Sequence, residues 1–281
     1  MKSKELYDFI SNGIASVVKD YEIDSITNII LENYFDCNVV NVIKNTDVGI
    51  EEAKIIDISN EVKYRLGMGE PIQYIVGRCK FLNCTILLNR HVFIPRQETE
   101  EMVYSILKNG ICGKKVLDVC SGSGCIGISL KKNFKSSDVT CLEIDRNAII
   151  KSQESAKLND VFINFINLDI FDDMVFSIGR YDLIVSNPPY VLESEKKYMS
   201  DRVVSYEPSK AIFVSDNDPL VFYKRLKVII ESSLNNGGRF FLEINENFAN
   251  DILLLFSCNN IKNVKINSDL NGKNRWISGQ V

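Results

Sequence analysis

The chain has 281 residues, of which 45% are hydrophobic and 25% charged, with a formal net charge of −4. This is the composition of a globular protein with room for one large domain and one small one. It argues against a chain that coats nucleic-acid backbones through net positive charge, and no apolar run is long enough to span a bilayer.

Met1-Lys2-Ser3-Lys4-Glu5 carries no signal-peptide pattern. A cytoplasmic location is therefore expected, with the eight cysteines reduced and mostly buried. Cys79/Cys84 and Cys120/Cys125 have a spacing unsuited to zinc, and His91 is the single histidine, so no metal is expected.

From Lys4 to about Gly69 the pattern is helical. Leu6, Phe9, Ile10, Ile14, Val17 and Val18 recur at helical spacing, as do Ile26, Ile29, Ile30, Tyr34 and Phe35, and again Ile55, Ile58, Val62 and Leu66. Asp24, Asn38 and Thr46 are candidate N-caps, and Gly67 and Gly69 close the last helix. Phe81, Cys84, Ile86 and Leu88, then Val92 and Ile94, predict a β-hairpin turning near Asn89-Arg90. Arg96 to Leu107 follows as an amphipathic helix with Glu98 and Glu100 in its first turn, where acids suit the helix dipole.

From Lys115 onward strands and helices alternate. Strands are expected near 115–119, 139–143, 162–166, 181–186 and 238–244, and helices near 125–134, 147–158, 218–234 and 246–257. Two last strands, near 262–267 and 274–279, are joined by Asp269-Leu270-Asn271-Gly272. Alternation of this kind predicts an α/β fold with a mostly parallel sheet. A pair joined by so short a turn must be antiparallel. Seven strands ending in an antiparallel pair is the pattern of the Rossmann-like sheet of S-adenosylmethionine-dependent methyltransferases. The expected division is a helical substrate-recognition domain over 1–78, a β-hairpin linker over 79–95 and the methyltransferase domain over 96–281.

The chemistry is concentrated at two strand ends. The first is Asp118-Val119-Cys120-Ser121-Gly122-Ser123-Gly124-Cys125-Ile126-Gly127, a glycine turn between a strand and a helix. Gly122, Gly124 and Gly127 satisfy G-x-G-x-x-G, a weak signal by itself that a dinucleotide-binding oxidoreductase also fits. Glu143 ends the next strand at a distance suited to ribose hydroxyls. Asp118 is taken to separate the two cofactor classes. A carboxylate at the mouth of the loop repels a pyrophosphate, whereas S-adenosylmethionine has no phosphate and carries an ammonium and a sulfonium.

The second strand end is Asn187-Pro188-Pro189-Tyr190, after the apolar run Tyr181 to Val185. The two prolines stop the strand and leave the Asn187 and Pro188 carbonyls without ladder partners. Two acceptors and an aromatic face at one rigid corner suit a flat NH2 group. Gly122, Glu143, Asp169 and Asn187 each follow a different predicted strand, so they are expected in one crevice at the carboxyl ends of the sheet.

The chain resembles the HemK/PrmC release-factor glutamine methyltransferases over nearly its whole length. The matching segments are Gly69 to Gly77, Phe93-Ile94-Pro95-Arg96-Gln97-Glu98-Thr99-Glu100, the glycine loop, Ser186 to Tyr190, Tyr206-Glu207-Pro208, and Asp269 to Gly279. The Asn-Pro-Pro-Tyr segment alone is shared with adenine-N6 methyltransferases of nucleic acids and with ribosomal-protein glutamine methyltransferases, which stand as alternatives. A noncatalytic protein keeping the fold is a third, against which Asn187 and Tyr190 argue. Departures from the family pattern are Gln97, Cys120, Glu143, Trp276 and Gln280.

The resemblance implies transfer of a methyl group from S-adenosylmethionine, leaving S-adenosylhomocysteine, to the amide nitrogen of glutamine in the Gly-Gly-Gln motif of peptide-chain release factors. It implies a protein substrate and no direct nucleic-acid substrate. The Asn187 side-chain oxygen and the Pro188 carbonyl are then expected to hold the substrate NH2, with Tyr190 packed on the amide plane and Pro189 stiffening the corner. For the cofactor, Asp118 and the loop of Cys120, Ser121, Gly122, Ser123 and Gly124 are expected at the methionine end. Glu143 is expected at the ribose, Asp169 and Ile170 at the adenine, and Asn187 against both cofactor and substrate.

Overall fold

Helices form first along the chain because apolar side chains recur every third or fourth residue there. They are α1 (Ser3–Ile14), α2 (Ile23–Tyr34), α3 (Val39–Lys44), α4 (Glu52–Gly67) and α5 (Ile72–Val76). A hairpin of β1 (Arg78–Phe81) and β2 (Cys84–Leu87) leads to α6 (Gln97–Lys108). Then come β3 (Lys115–Val119), α7 (Cys125–Asn133), β4 (Asp138–Glu143), α8 (Arg146–Leu158), β5 (Asn164–Asn167) and β6 (Tyr181–Ser186). Two short strands, β7 (Val191–Leu192) and β8 (Phe213–Val214), flank α9 (Asp201–Tyr206). The chain ends with α10 (Val221–Ser233), β9 (Leu234–Glu243), α11 (Ala249–Phe256), β10 (Lys262–Ser268) and β11 (Asn274–Gln280). The computed structural model describes residues 1–111, 113–257 and 260–281, so two of the cysteines expected to be reduced and buried, Cys112 and Cys258, lie outside the described residues.

The chain separates into two compact units. The smaller comprises Met1–Gly77 with Ser200–Tyr206, and the larger Arg78–Met199 with Glu207–Val281. The hairpin therefore belongs to the larger unit, and α9 joins the smaller one, to which no sequence pattern assigned it.

In the smaller unit Leu6, Ile10, Ile14, Ile30, Leu31, Ile55 and Leu66 are fully buried in one cluster. Each such side chain contributes about 1.5–3 kcal/mol through burial. Asn38 caps α3, its side chain accepting from Asn41 N at 3.1 Å. Asp24 sits in the first turn of α2 rather than at its cap, and α4 begins at Glu52, well past Thr46. The segment of α9 is tied down by Arg202, which pairs with Glu22 at 3.1 Å, and by Tyr206, whose hydroxyl donates to Met68 O at 2.8 Å.

The larger unit is built on a seven-stranded sheet of order β10-β11-β9-β6-β3-β4-β5. Strands β3, β4, β5, β6 and β9 are mutually parallel, and β11 runs antiparallel between β9 and β10. The strand order reverses at β3, whose neighbours are β4 on one side and β6 on the other. In such sheets the crevice at the carboxyl ends of the strands at the reversal is where ligands bind.

The hairpin differs from the one expected. It turns at Leu82-Asn83, with Phe81 opposite Cys84, and residues 88–94 are irregular. Leu82 takes a positive φ of 50°, and its N–H donates to the Glu100 carboxylate on α6. A contact from eighteen positions downstream thus helps to hold a turn that leucine does not favour.

Candidate active site

The glycine turn between β3 and α7 brings the backbone close to the ends of β3 and β4. Ser121 N donates to Leu142 O at 3.0 Å, and Gly122 N to Glu143 Oε2 at 2.8 Å. Gly122 has φ +51°, and a Cβ there would meet open space, so its glycine serves backbone conformation. Gly127 serves packing: a Cβ there would lie 2.4 Å from Cys141 Sγ. Cys120, at φ +57°, adopts the left-handed region without being glycine. Such a residue costs on the order of 1–2 kcal/mol, which the surrounding contacts must offset.

A cavity of about 660 Å³ opens at these strand ends. Of the predicted cofactor residues, Cys120, Ser121, Gly122, Ser123, Glu143, Asp169, Ile170 and Asn187 line it, together with Pro188, Pro189 and Tyr190. Four separate strand ends are thus brought to one space. Glu143 holds its carboxylate fixed between Gly122 N and Asp145 N, at 2.8 and 2.9 Å, and burial pushes its pKa up. Asp169 Oδ1 accepts from Phe171 N at 2.9 Å, so it also caps its own loop.

Asp118 is a correction. It is fully buried and does not line the cavity; Oδ2 accepts from Gly127 N at 2.9 Å, behind the loop. Burial raises its pKa to about 7. It fastens β3 to α7 instead of facing a ligand, so it cannot discriminate between cofactors by direct contact. Gly124 likewise stays outside the lining and starts α7 at φ +73°.

The Asn187 corner is held by Thr99 and Glu243, neither of which was expected in the site. Asn187 Nδ2 donates to Thr99 Oγ1 at 3.0 Å, and Thr99 Oγ1 donates to Glu243 Oε2 at 2.6 Å. The Tyr190 hydroxyl donates to the other oxygen, Glu243 Oε1, at 2.9 Å. Glu243 ends β9 and is 2% exposed; burial lifts its pKa to about 7, against the hydrogen bonds from Thr99 and Tyr190. Burial, followed by the neighbouring Glu243 charge, drives the Tyr190 phenol well up, so it stays protonated. Among the described residues nothing donates to the Pro188 carbonyl. The one sequence signal for Glu243 was a lone acid inside the apolar run Phe240-Phe241-Leu242-Glu243-Ile244.

The two acids of the α6 first turn part company. Glu98 lines the cavity and approaches Arg275 at 3.4 Å, while Glu100 holds the hairpin turn. Glu207 is buried and accepts from Ile94 N at 3.2 Å and from Arg96 at 2.6 Å, and Arg96 stacks on Phe93. This clasp fixes one wall, to which Pro208 and Phe93 contribute.

The model of the methyltransferase small domain family matches residues 98–206. A release factor glutamine methyltransferase of Flavobacterium psychrophilum is 35% identical over 94% of this chain and 94% of its own length. One of Bacteroides thetaiotaomicron is 32% identical over 96% and 97%. This chain belongs to the release factor glutamine methyltransferase family. A provisionally assigned methyltransferase crystallised with S-adenosylhomocysteine aligns with 70% of this chain and 53% of its own, at 13% identity and a TM-score of 0.50. That likeness concerns the fold, a seven-stranded α/β methyltransferase sheet. Among the described residues, no helix is long and apolar enough to cross a membrane.

Proposed function

We infer that this protein is an S-adenosylmethionine-dependent methyltransferase that methylates the side-chain amide nitrogen of glutamine in the Gly-Gly-Gln motif of peptide-chain release factors, in the cytoplasm, as a step of protein methylation serving translation termination. The observation that carries the reading is the Asn187 corner, where two hydrogen-bond acceptors and an aromatic ring line one cavity with the glycine loop. Relatives of matching length named for the same reaction support it.

The cavity fits the cofactor. Its volume lies within the range of small-molecule sites, about 300–1,000 Å³. The carboxylates of Glu143, Asp145 and Asp169 line it beside the loop, which favours a ligand bearing positive charge over one bearing phosphates. Glu143, anchored by two backbone N–H groups, presents remaining lone pairs to ribose hydroxyls. Ile170 offers an apolar wall to adenine, and Asp169 an acceptor for its amine. S-adenosylhomocysteine would remain in the same contacts as product. When bound, the cofactor supplies an electrophilic methyl group on a sulfonium.

An amide nitrogen is a poor nucleophile because its lone pair is delocalised into the carbonyl. Asn187 Oδ1 and the Pro188 carbonyl take its two hydrogens, fix its direction and stabilise positive charge as it develops there. Tyr190 covers the amide plane, and Pro189 keeps the corner rigid. The N-methylated amide cation is strongly acidic, so its proton passes to water without a dedicated base.

Docking of the release factor is assigned to the smaller unit. The support is a set of exposed apolar side chains on α3: Val39, Val40 and Ile43. The relatives lend no support to an adenine or ribosomal-protein substrate.

Incubation with methyl-labelled S-adenosylmethionine, purified release factor and duplex DNA tests the function. Label is expected in the Gly-Gly-Gln peptide of the release factor, and not in a version with that glutamine replaced. Label on DNA alone, or on neither substrate, overturns the assignment.

A further inference from the structure

We propose that Glu243 and Thr99 are positioning residues that fix which way the Asn187 amide faces, so that its oxygen rather than its NH2 group is presented to the substrate. The inference rests on the function just proposed and concerns residues to which that reading gives no role.

An ionised carboxylate accepts and never donates. Glu243 has both oxygens occupied, Oε2 by Thr99 at 2.6 Å and Oε1 by the Tyr190 hydroxyl at 2.9 Å. Thr99 has one hydroxyl hydrogen, and Glu243 takes it. Thr99 Oγ1 is then only an acceptor towards Asn187, 3.0 Å away. The Asn187 NH2 must therefore face Thr99, and Oδ1 is left for the cavity that Asn187 lines. Turning the amide over would set Oδ1 against the Thr99 lone pairs and NH2 against the hydrogens of the substrate amide. Each misplacement leaves buried or half-buried polar groups unpaired.

Thr99 and Glu243 are each 2% exposed; Thr99 borders the cavity and Glu243 lies behind it. They lie 144 positions apart, on α6 and β9. Burying a carboxylate is costly unless it is fully hydrogen-bonded. A neutral side chain of similar shape would cost less but would not impose one direction on the chain of hydrogen bonds.

The arrangement has a consequence for pH. A protonated Glu243 can donate to Thr99, which frees the Thr99 hydrogen to point at Asn187 and removes the preference. The charged and titratable groups around Glu243 are Glu98 and Arg275, which act on it through space, the hydroxyl of Tyr190 on its side chain, Tyr223, whose hydroxyl donates to the Glu243 carbonyl at 3.0 Å, and Cys125. Burial, helped by the Glu98 charge, raises Glu243 to about 7 against the hydrogen bonds of Thr99 and Tyr190 and the Arg275 charge. Turnover should accordingly fall as pH drops below about 7.

The full-length protein, its Thr99→Val, Thr99→Ser and Glu243→Gln variants, labelled S-adenosylmethionine and release factor make the test. Thr99→Val keeps shape and loses the hydroxyl. Its kcat should fall at least tenfold at pH 8, with KM for S-adenosylmethionine within twofold of the parent. Thr99→Ser should restore kcat to within about threefold. Glu243→Gln should lower kcat and abolish the acid limb of the pH profile. A Thr99→Val kcat equal to the parent's, or an unchanged acid limb in Glu243→Gln, overturns the proposal.

A readout without turnover separates this from the function itself. The two Asn187 side-chain NH2 protons, assigned by their loss in Asn187→Ala, should include one shifted downfield by its bond to Thr99 in the NMR spectrum of the parent, and that shift, and with it the splitting, should change in Thr99→Val. Equal splitting in both proteins overturns the relay whatever the substrate proves to be. Failure of the parent to label release factor overturns the function and leaves the splitting to decide the relay.

Discussion

At the scale of single residues, Asn187 carries the sharpest expectation. Its side chain lines the cavity and donates to Thr99, which is bonded in turn to Glu243. Asn187→Ala removes an oriented acceptor whose bond strengthens as charge develops on the substrate nitrogen. Such a loss costs about 3 kcal/mol, or roughly a hundredfold in kcat. The glycine loop and Glu143 are untouched, so the dissociation constant for S-adenosylhomocysteine should change by less than about fivefold. Single-turnover kinetics together with calorimetry measure both quantities. A parental kcat would show that the Asn-Pro-Pro-Tyr corner is only a stiff turn.

At the scale of elements, the contact of α7 with β3 and β4 decides where the glycine loop lies. Gly127 sits against Cys141 on β4 and accepts no side chain of its own: an added Cβ would be 2.4 Å from Cys141 Sγ and 3.2 Å from Asp118 Oδ2. Gly127→Ala should lose about 1–3 kcal/mol by overpacking, visible as a lower denaturation midpoint. Combining it with Cys141→Ala removes the clashing sulfur and should recover part of that loss. A double variant no more stable than the single one would place the strain elsewhere. The hairpin shows the limit of reading elements from pattern. Period-two alternation through Cys84, Ile86 and Leu88 was visible, but the turn at Leu82-Asn83 puts leucine, not glycine or asparagine, at the position with positive φ. It is supported instead by Glu100 from another element.

At the scale of the whole molecule, buried carboxylates couple stability to pH. The Asp118 carboxyl has an ordinary value of 3.8, raised to about 7 by burial in the folded protein. Between those values the folded state holds a proton that the unfolded chain has released. Stability therefore declines as pH rises through that window and levels off above about 7. Asp118→Asn carries no such titration, so its melting temperature relative to the parent should increase from pH 4 to pH 8. A difference independent of pH would mean that Asp118 does not change its protonation there. The smaller unit gives a second expectation at this scale. Val39, Val40 and Ile43 on α3 are 46%, 54% and 78% exposed, so replacing them with serine should cost little stability. If this unit docks the protein substrate, the triple variant should raise KM for release factor several-fold and leave cofactor affinity alone. An unchanged KM would move docking to another surface.

The sequence by itself determined the order and kind of the seven strands of the large sheet and of the helices between them, though not the short pair β7 and β8 or the hairpin turn. Strands buried on both faces read as continuous apolar runs, and the glycine turn and the proline pair punctuate them without ambiguity. It also determined that four strand ends share a crevice, because a parallel sheet admits one carboxyl edge. Which face of a strand a side chain occupies was decided by tertiary structure. A strand buried on both sides has no polar alternation to show it, so Asp118 read as facing the ligand when it lies beneath Gly127. Tertiary structure also assembled Thr99, Asn187, Tyr190 and Glu243, since hydrogen bonds between α6, the corner after β6 and the end of β9 leave no periodic trace in the chain. The lone acid at the end of an apolar strand was legible as an exception, but its partners were chosen by the packing of α6 across the strand ends.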